Sequence, residues 1–445
     1  MGLLNQTLPF SPRTLWAIAL PAMLTNVATA LFGLADMWAI GRLGDAPAQG
    51  AVELGAKFMM GLLNVFNFLR AGTVALTAQG VGRGETHEMA RGLARAMTVA
   101  LGLGAVLLLA MPLAIPFGLD LLGAHGTLRD HTATYVTIRY WAAPLWLANC
   151  VLTGWLIGRQ RVRAVLAVEV SANAVHIALD LVLVLVAHWG IAGVAVATLS
   201  SEALKALLLA TVVFREREAR TAWFAFRERA TWQRNAMTKL FALNRDLFLR
   251  TLLLTVAMFV FARVGAQNGP VTLAANAILF QLFMLSVLLL DGFESAAQVL
   301  CGQAIGAGDR ASFAAAMRAN LIRGGFVGVG VSAAYGLGSA SLASWFSTDP
   351  QVVAASARYA GWLALLPMLG VASFVLDGVF IGAGWTRAMA LTMTAALALY
   401  LGLLWALAGM GNDGLWIAFI AFFLARAAGQ AWLLPGLLRR SFRPA

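Results

Sequence analysis

The chain has 445 residues, 60% of them hydrophobic and only 12% charged, and its mean hydropathy is +0.79. A soluble domain of that length carries about twice the charged fraction, so a water-soluble enzyme or binding module is excluded. The net charge of +12 falls in short segments between apolar runs, as in a membrane protein, which speaks against nucleic acid as a partner.

Apolar runs of about 18 or more residues, each able to cross roughly 30 Å of hydrocarbon as a helix, recur along the chain. In order, they centre near Thr25, Asn67, Ala105, Leu147, Val175 and Ser201, then near Val256, Leu289, Val329, Gly370, Leu399 and Phe423. The first run carries Pro21 and Asp36; the fifth carries Asn173, His176 and Asp180; the sixth carries Thr198. Residues 215–239 between the two sets are polar, with Trp223, Phe224, Phe226 and Trp232 among arginines, as in an amphipathic linker on a membrane surface. The expected organisation is an all-α, polytopic membrane protein with six-helix lobes at 1–214 and 240–445, joined by that linker. Basic residues fall in alternate connections (Arg83, Arg91, Arg159, Arg161, Arg163, Arg310, Arg387, Arg439), with little beyond Arg42 and Arg129 in the others. That asymmetry places both termini in the cytoplasm. Cys150 and Cys301 lie inside apolar runs, so no structural disulfide is expected, and no cleavable signal is evident.

The halves repeat at a constant offset. Gln79-Gly-Val-Gly-Arg-Gly-Glu85 returns as Gln303-Ala-Ile-Gly-Ala-Gly-Asp309, 303 − 79 = 224 residues later. Gly154, Ile157, Gly158, Arg163 and Ala164 return as Gly378, Ile381, Gly382, Arg387 and Ala388. In a hydrophobic chain, such parallel repeats suggest a transporter with two facing halves. The glycine-rich stretches lack the Lys-Ser/Thr ending and preceding strand of a nucleotide loop, and read as tight turns after the second and eighth spans.

Several pieces in register resemble the multidrug and toxic compound extrusion (MATE) family, and within it the DinF branch. They are Ile18–Pro21, Leu34–Gly44, Leu76–Glu85, His176–Val184, Leu240–Leu254, Leu289–Asp309 and Val375–Gly384. The resemblance implies a twelve-helix exporter, monomeric, in the bacterial inner membrane. It would move amphipathic, often cationic small molecules outward by alternating access, needing no cofactor beyond a coupling ion, H+ or Na+. The family's acidic positions on the first and fifth spans match Asp36 and Asp180.

Ionisable groups cost several kcal/mol in hydrocarbon, so each needs a partner, a wet cavity or a function. Asp36, Asp180 and Thr198 are expected at similar depth in the outer half of the first lobe. His176 and Asn173 lie successively one turn further in on the same face as Asp180. These five are the candidate cation-coupling residues, Asp36, Asp180 and Thr198 forming the site if the ion is Na+. The family usually carries Asn where this chain has His176; imidazole titrates near neutrality and is a poorer ligand for a hard cation, which favours protons. Pro21 breaks a backbone hydrogen bond and is the candidate hinge. In the second lobe, Asp291, Glu294, Asp377 and Arg250 form a candidate charge network or substrate contact. Arg70 and Glu202 are expected to pair within the first lobe. Two rival functions are a lipid-linked oligosaccharide flippase, which needs several cations lining its cleft, and an integral-membrane transferase, which needs a catalytic constellation that the sequence does not offer.

Overall fold

The computed structural model describes residues 11–42 and 44–442, and among them every regular element is helical. In the first half the helices are α1 (Pro12–Gly41), α2 (Ala46–Asn64), α3 (Phe68–Arg83), α4 (Thr86–Leu121), α5 (Gly126–Tyr140), α6 (Ala143–Gly158), α7 (Val162–Asp180) and α8 (Gly190–Phe214). The short α9 (Arg217–Arg220) and α10 (Ala222–Ala225) follow. Then come α11 (Arg234–Gln267), α12 (Pro270–Gly306), α13 (Arg310–Phe346), α14 (Pro350–Ala383), α15 (Thr386–Ala406) and α16 (Gly411–Ser441). Among the described residues, eleven helical stretches are long and apolar enough to span a membrane, α2 and α3 together making one of them. The bent pair α5 and α6, turned by 47° at Trp141 and Ala142, brings the number to twelve. The fourth apolar run is thus longer than its sequence centre suggests, with α5 continuing it on the far side of a bend.

Helix starts follow local chemistry. Asp45 and Asp349 accept from Ala48 N and Gln351 N, with a proline in the first turn of α2 and α14. Gly84 and Gly308, at the repeat offset, both turn the chain at φ 69°. Gly82 and Gly306, expected in the turns, lie in or at the end of helices instead. A side chain at Gly82 would clash with the Gln303 carbonyl, and one at Gly306 with that of Gln79, so the crossing is reciprocal.

The chain packs as two compact units, one of residues 11–23, 78–84 and 242–442, the other of 24–77 and 85–241. Helix α1 runs unbroken through Pro21 and leaves the first of these for the second just beyond it, at Met23 and Leu24. The repeat is visible inside each unit. Gly154 and Gly158 let α6 approach the carbonyls of Arg70 and Val74 on α3; Gly378 and Gly382 let α14 approach those of Glu294 and Gln298 on α12. Each of these four pairs is the 224-residue image of another. Residues 234–239, expected in the linker, form the first turns of α11. The rest of the linker is tied by ion pairs: Glu216 to Arg159 and Arg161 (2.5 and 3.0 Å), and Glu228 to Arg91 (2.8 Å). Trp223, Phe224 and Phe226 remain exposed.

Candidate functional site

Three of the five first-lobe residues meet. His176 Nε2 lies 2.6 Å from Asp36 Oδ1 and 3.1 Å from Asp180 Oδ2, and one ligand atom from each of the three falls within 4.8 Å of the others. All are buried, at 3%, 0% and 1% exposure for Asp36, His176 and Asp180. The i, i+4 spacing on α7 stacks His176 beneath Asp180, and α1 supplies Asp36 from across the interface. Asp180 ends the α-helix; Leu181–Val186 continue as a π-helical segment, a rare geometry that recurs at functional sites.

Hydrogen-bond directions constrain the protons. An imidazole nitrogen and a carboxylate oxygen at 2.6 Å must share a proton, because two acceptors repel. Ser201 Oγ, 3.4 Å from His176 Nδ1, donates its own proton to the Thr198 carbonyl at 2.9 Å. Nδ1 faces the serine oxygen, and which of the two donates follows from the ring's tautomer. Asp36 Oδ1 and His176 Nε2 share that one proton, held on the ring or on the carboxyl group. Nε2 offers only one hydrogen, and neither Asp180 oxygen completes a hydrogen bond in good geometry. Two buried carboxylates and one imidazole therefore leave one acceptor group unsatisfied, and binding of one further cation would relieve it.

The other two residues sit nearby with different partners. Asn173 Nδ2 donates to the Ala28 carbonyl of α1 at 2.7 Å, and Thr198 Oγ1 donates to Val194 O at 3.1 Å within α8. Neither touches the three-residue cluster directly. Sequence reasoning passed over Ser201, and also Tyr135 and Arg139 of α5. Arg139 donates to the Tyr135 hydroxyl and lies within electrostatic reach of Asp36 and Glu202. Their i, i+4 spacing was visible, but α5 was read as part of a connection. The expected Arg70–Glu202 pair does not form: Glu202 Oε2 accepts instead from Asn149 Nδ2 at 2.8 Å. At Arg70 it is the backbone carbonyl that meets the neighbouring helix, against Gly154.

In the other unit, Asp377 is fully buried and saturated. Its Oδ2 accepts from Arg250 Nη2 (2.7 Å) and Arg426 Nη2 (2.6 Å), and its Oδ1 from Gln430 Nε2 (2.6 Å). Glu294 lies 3.6 Å from Arg250 and stays partly accessible, and Asp291 is half-buried one turn away on α12. Arg426, missed as a partner of Asp377, also lies over the rings of Phe374, Phe422 and Phe423 at 5.9, 5.5 and 5.2 Å. These charges form one network, in which Asp377 and Arg250 are spent on each other.

A family model described as MatE matches residues 21–182 and 247–405, once in each half of the repeat. The chain is 33% identical over 421 residues to the DNA damage-inducible protein F of Escherichia coli (strain K12), covering 95% of this chain and 91% of that one. It is 27% identical over 443 residues to a probable multidrug resistance protein NorM of Rhizobium meliloti (strain 1021), covering 95% and 93%. Among solved structures, a MATE in the bent conformation superposes with a TM-score of 0.89 at 19% identity, over 98% of each chain. An outward-facing multidrug resistance MATE transporter of the MOP superfamily gives 0.88 at 19% identity, over 98% and 97%.

Proposed function

As the chain belongs to the MatE family and so is a membrane transporter rather than an enzyme, we propose that it exports amphipathic, often cationic compounds in exchange for protons. The observation that carries the reading is the Asp36–His176–Asp180 cluster, buried, sharing a proton between Asp36 and His176, with the Asp180 carboxylate left without a hydrogen bond. An imidazole nitrogen at its centre suits a proton better than sodium, which prefers an all-oxygen shell. The multidrug resistance name of one relative supports the substrate class.

Orientation follows from the arginines. With Arg159, Arg161 and Arg163 at the start of α7 and Arg215, Arg217 and Arg220 after α8 on the cytoplasmic side, the cluster lies nearer the exterior, where a proton enters. Its arrival neutralises the cluster and changes the contact between α1 and α7. Pro21, just before α1 passes from one packing unit to the other, is where that change bends the helix. One proton descending about 150 mV supplies roughly 3.5 kcal/mol, enough for a concentration ratio of a few hundred. A flippase is less well supported, because the guanidiniums of Arg250 and Arg426 are both bound to Asp377 rather than offered to a pyrophosphate.

The test is ethidium efflux in everted vesicles with proton and sodium gradients imposed separately, on the wild type and on Asp36→Asn. Proton-driven efflux lost in Asp36→Asn, with normal insertion in the membrane, supports the assignment. Efflux that follows the sodium gradient at clamped pH, or that Asp36→Asn leaves unchanged, refutes it.

A further inference from the structure

The polar residues of α7 do not stop at the cluster. Glu169, Asn173, His176 and Asp180 follow at spacings of four, three and four, which puts them on one face over roughly 16 Å. Thr198, Ser201, Glu202 and Lys205 make a matching stripe on the adjacent α8. The two stripes form a polar seam running from the cluster towards the arginine-rich end. At its far end Lys205 Nζ lies 2.6 Å from Glu169 Oε2, whose other oxygen lies 3.1 Å from Thr29 Oγ1 of α1, a hydroxyl shared with the Thr25 carbonyl at 2.9 Å. Glu169 is 5% exposed, and its side chain and that of Lys205 are 6% and 19% accessible. Glu202, bonded to Asn149, and Arg70 complete the charges around this end.

We propose that Lys205, held in place by Glu169, is a fixed-charge stop that keeps the coupling cation from slipping along the seam past the cluster. The proposal rests on the Asp36–His176–Asp180 cluster being the coupling site. Seven residues of helix separate Glu169 from His176, about 10 Å. Removing one positive charge at that distance, which leaves the Glu169 carboxylate unbalanced, favours a second cation on the seam on the order of tenfold at the effective dielectric of a protein. Removing the ammonium also frees the Glu169 carboxylate, which then offers a proton the next foothold. A purely structural ion pair would make a different prediction, since either partner's loss would break it equally.

The experiment uses the purified full chain in proteoliposomes without substrate, with a valinomycin-set potential. Internal pyranine reads protons, and a sodium-sensitive dye is used in parallel. Lys205→Met is expected to raise the uncoupled cation flux about tenfold over wild type. Lys205→Arg, which keeps the charge, is expected to stay at the wild-type rate, and Glu169→Gln, which keeps the cation and removes its partner's negative charge, to be no faster than wild type. Adding Asp36→Asn to Lys205→Met returns the flux to background if the leak runs through the cluster. A Lys205→Met flux no faster than wild type overturns the proposal; so does a Glu169→Gln leak equal to it, or a leak that survives Asp36→Asn. Should Lys205→Met not give monodisperse protein, Lys205→Gln carries the same comparison. Loss of ion-driven efflux in Asp36→Asn together with a tight Lys205 variant refutes the stop alone. Efflux indifferent to Asp36→Asn refutes the coupling site beneath it.

Discussion

Replacing Asp377 by Asn leaves the side chain's shape almost intact and removes its charge. The loss falls on two guanidiniums. Arg426 is 1% exposed, and its Nε and Nη1 have no hydrogen-bond partner, so Asp377 is its compensating charge. Arg250 retains Glu294, but at 3.6 Å rather than 2.7 Å. Breaking a buried pair by removing one member costs about 3–5 kcal/mol, because the stranded charge stays buried. At roughly 2–4 °C per kcal/mol for a body of some two hundred residues, the apparent Tm falls by about 10 °C. Scanning fluorimetry of the purified protein in detergent measures it. Combining Asp377→Leu with Arg426→Met removes both members of the tightest pair and replaces them with apolar volume, so it is expected to lose less than half as much as Asp377→Asn. A Tm for Asp377→Asn within about 1 °C of wild type, or a double variant worse than the single one, would show that the network is not held together by this carboxylate.

His176→Asn leaves oxygen donors only around the cluster, and efflux is expected to shift from the proton gradient towards the sodium gradient in vesicles with each imposed alone. Gly378→Ala is expected to destabilise more than Gly154→Ala, by about 1–3 kcal/mol in all, because its methyl group clashes more deeply with the Glu294 carbonyl than the methyl of Gly154→Ala does with that of Arg70, 2.7 Å away. Denaturation of the two variants side by side checks the order. Asp309 accepts from Ser312 N at 2.9 Å at the start of α13, and these serine bonds hold its carboxyl below the usual carboxylate range. Its stabilisation is therefore present above about pH 4 and fades as pH falls through the lowered value. Asp309→Ala should cost about 1 kcal/mol at neutral pH, with the gap to wild type closing in acid; a gap independent of pH contradicts this.

Period and offset were what the sequence could convey. The i, i+4 relation of His176 and Asp180 needs only a helix, and the 224-residue offset announces that Gly378 and Gly382 repeat the task of Gly154 and Gly158. Cross-helix partnerships were less legible, because they depend on rotation about each axis. Asp36 could be placed by depth alone, yet depth also suggested Arg70 for Glu202, where Asn149 is the partner. Glu169 and Lys205 lie 36 residues apart on different helices, and nothing local links them. Their signal was that each extends a stripe by seven residues, two turns beyond His176 and Thr198. Arg139 stayed hidden because the bend after Tyr140 makes one span look like a short run preceded by a polar loop.

The crossing of Gly82 and Gly306 has the form of an isologous contact: each half offers one notch and receives one backbone ridge, by the same rule in both directions. A half-length polypeptide carrying that surface would fit its own twin about a two-fold axis. Within one chain, each copy can carry its own charges at equivalent positions: a glutamate stands at 202 in one half and an arginine at 426 in the other.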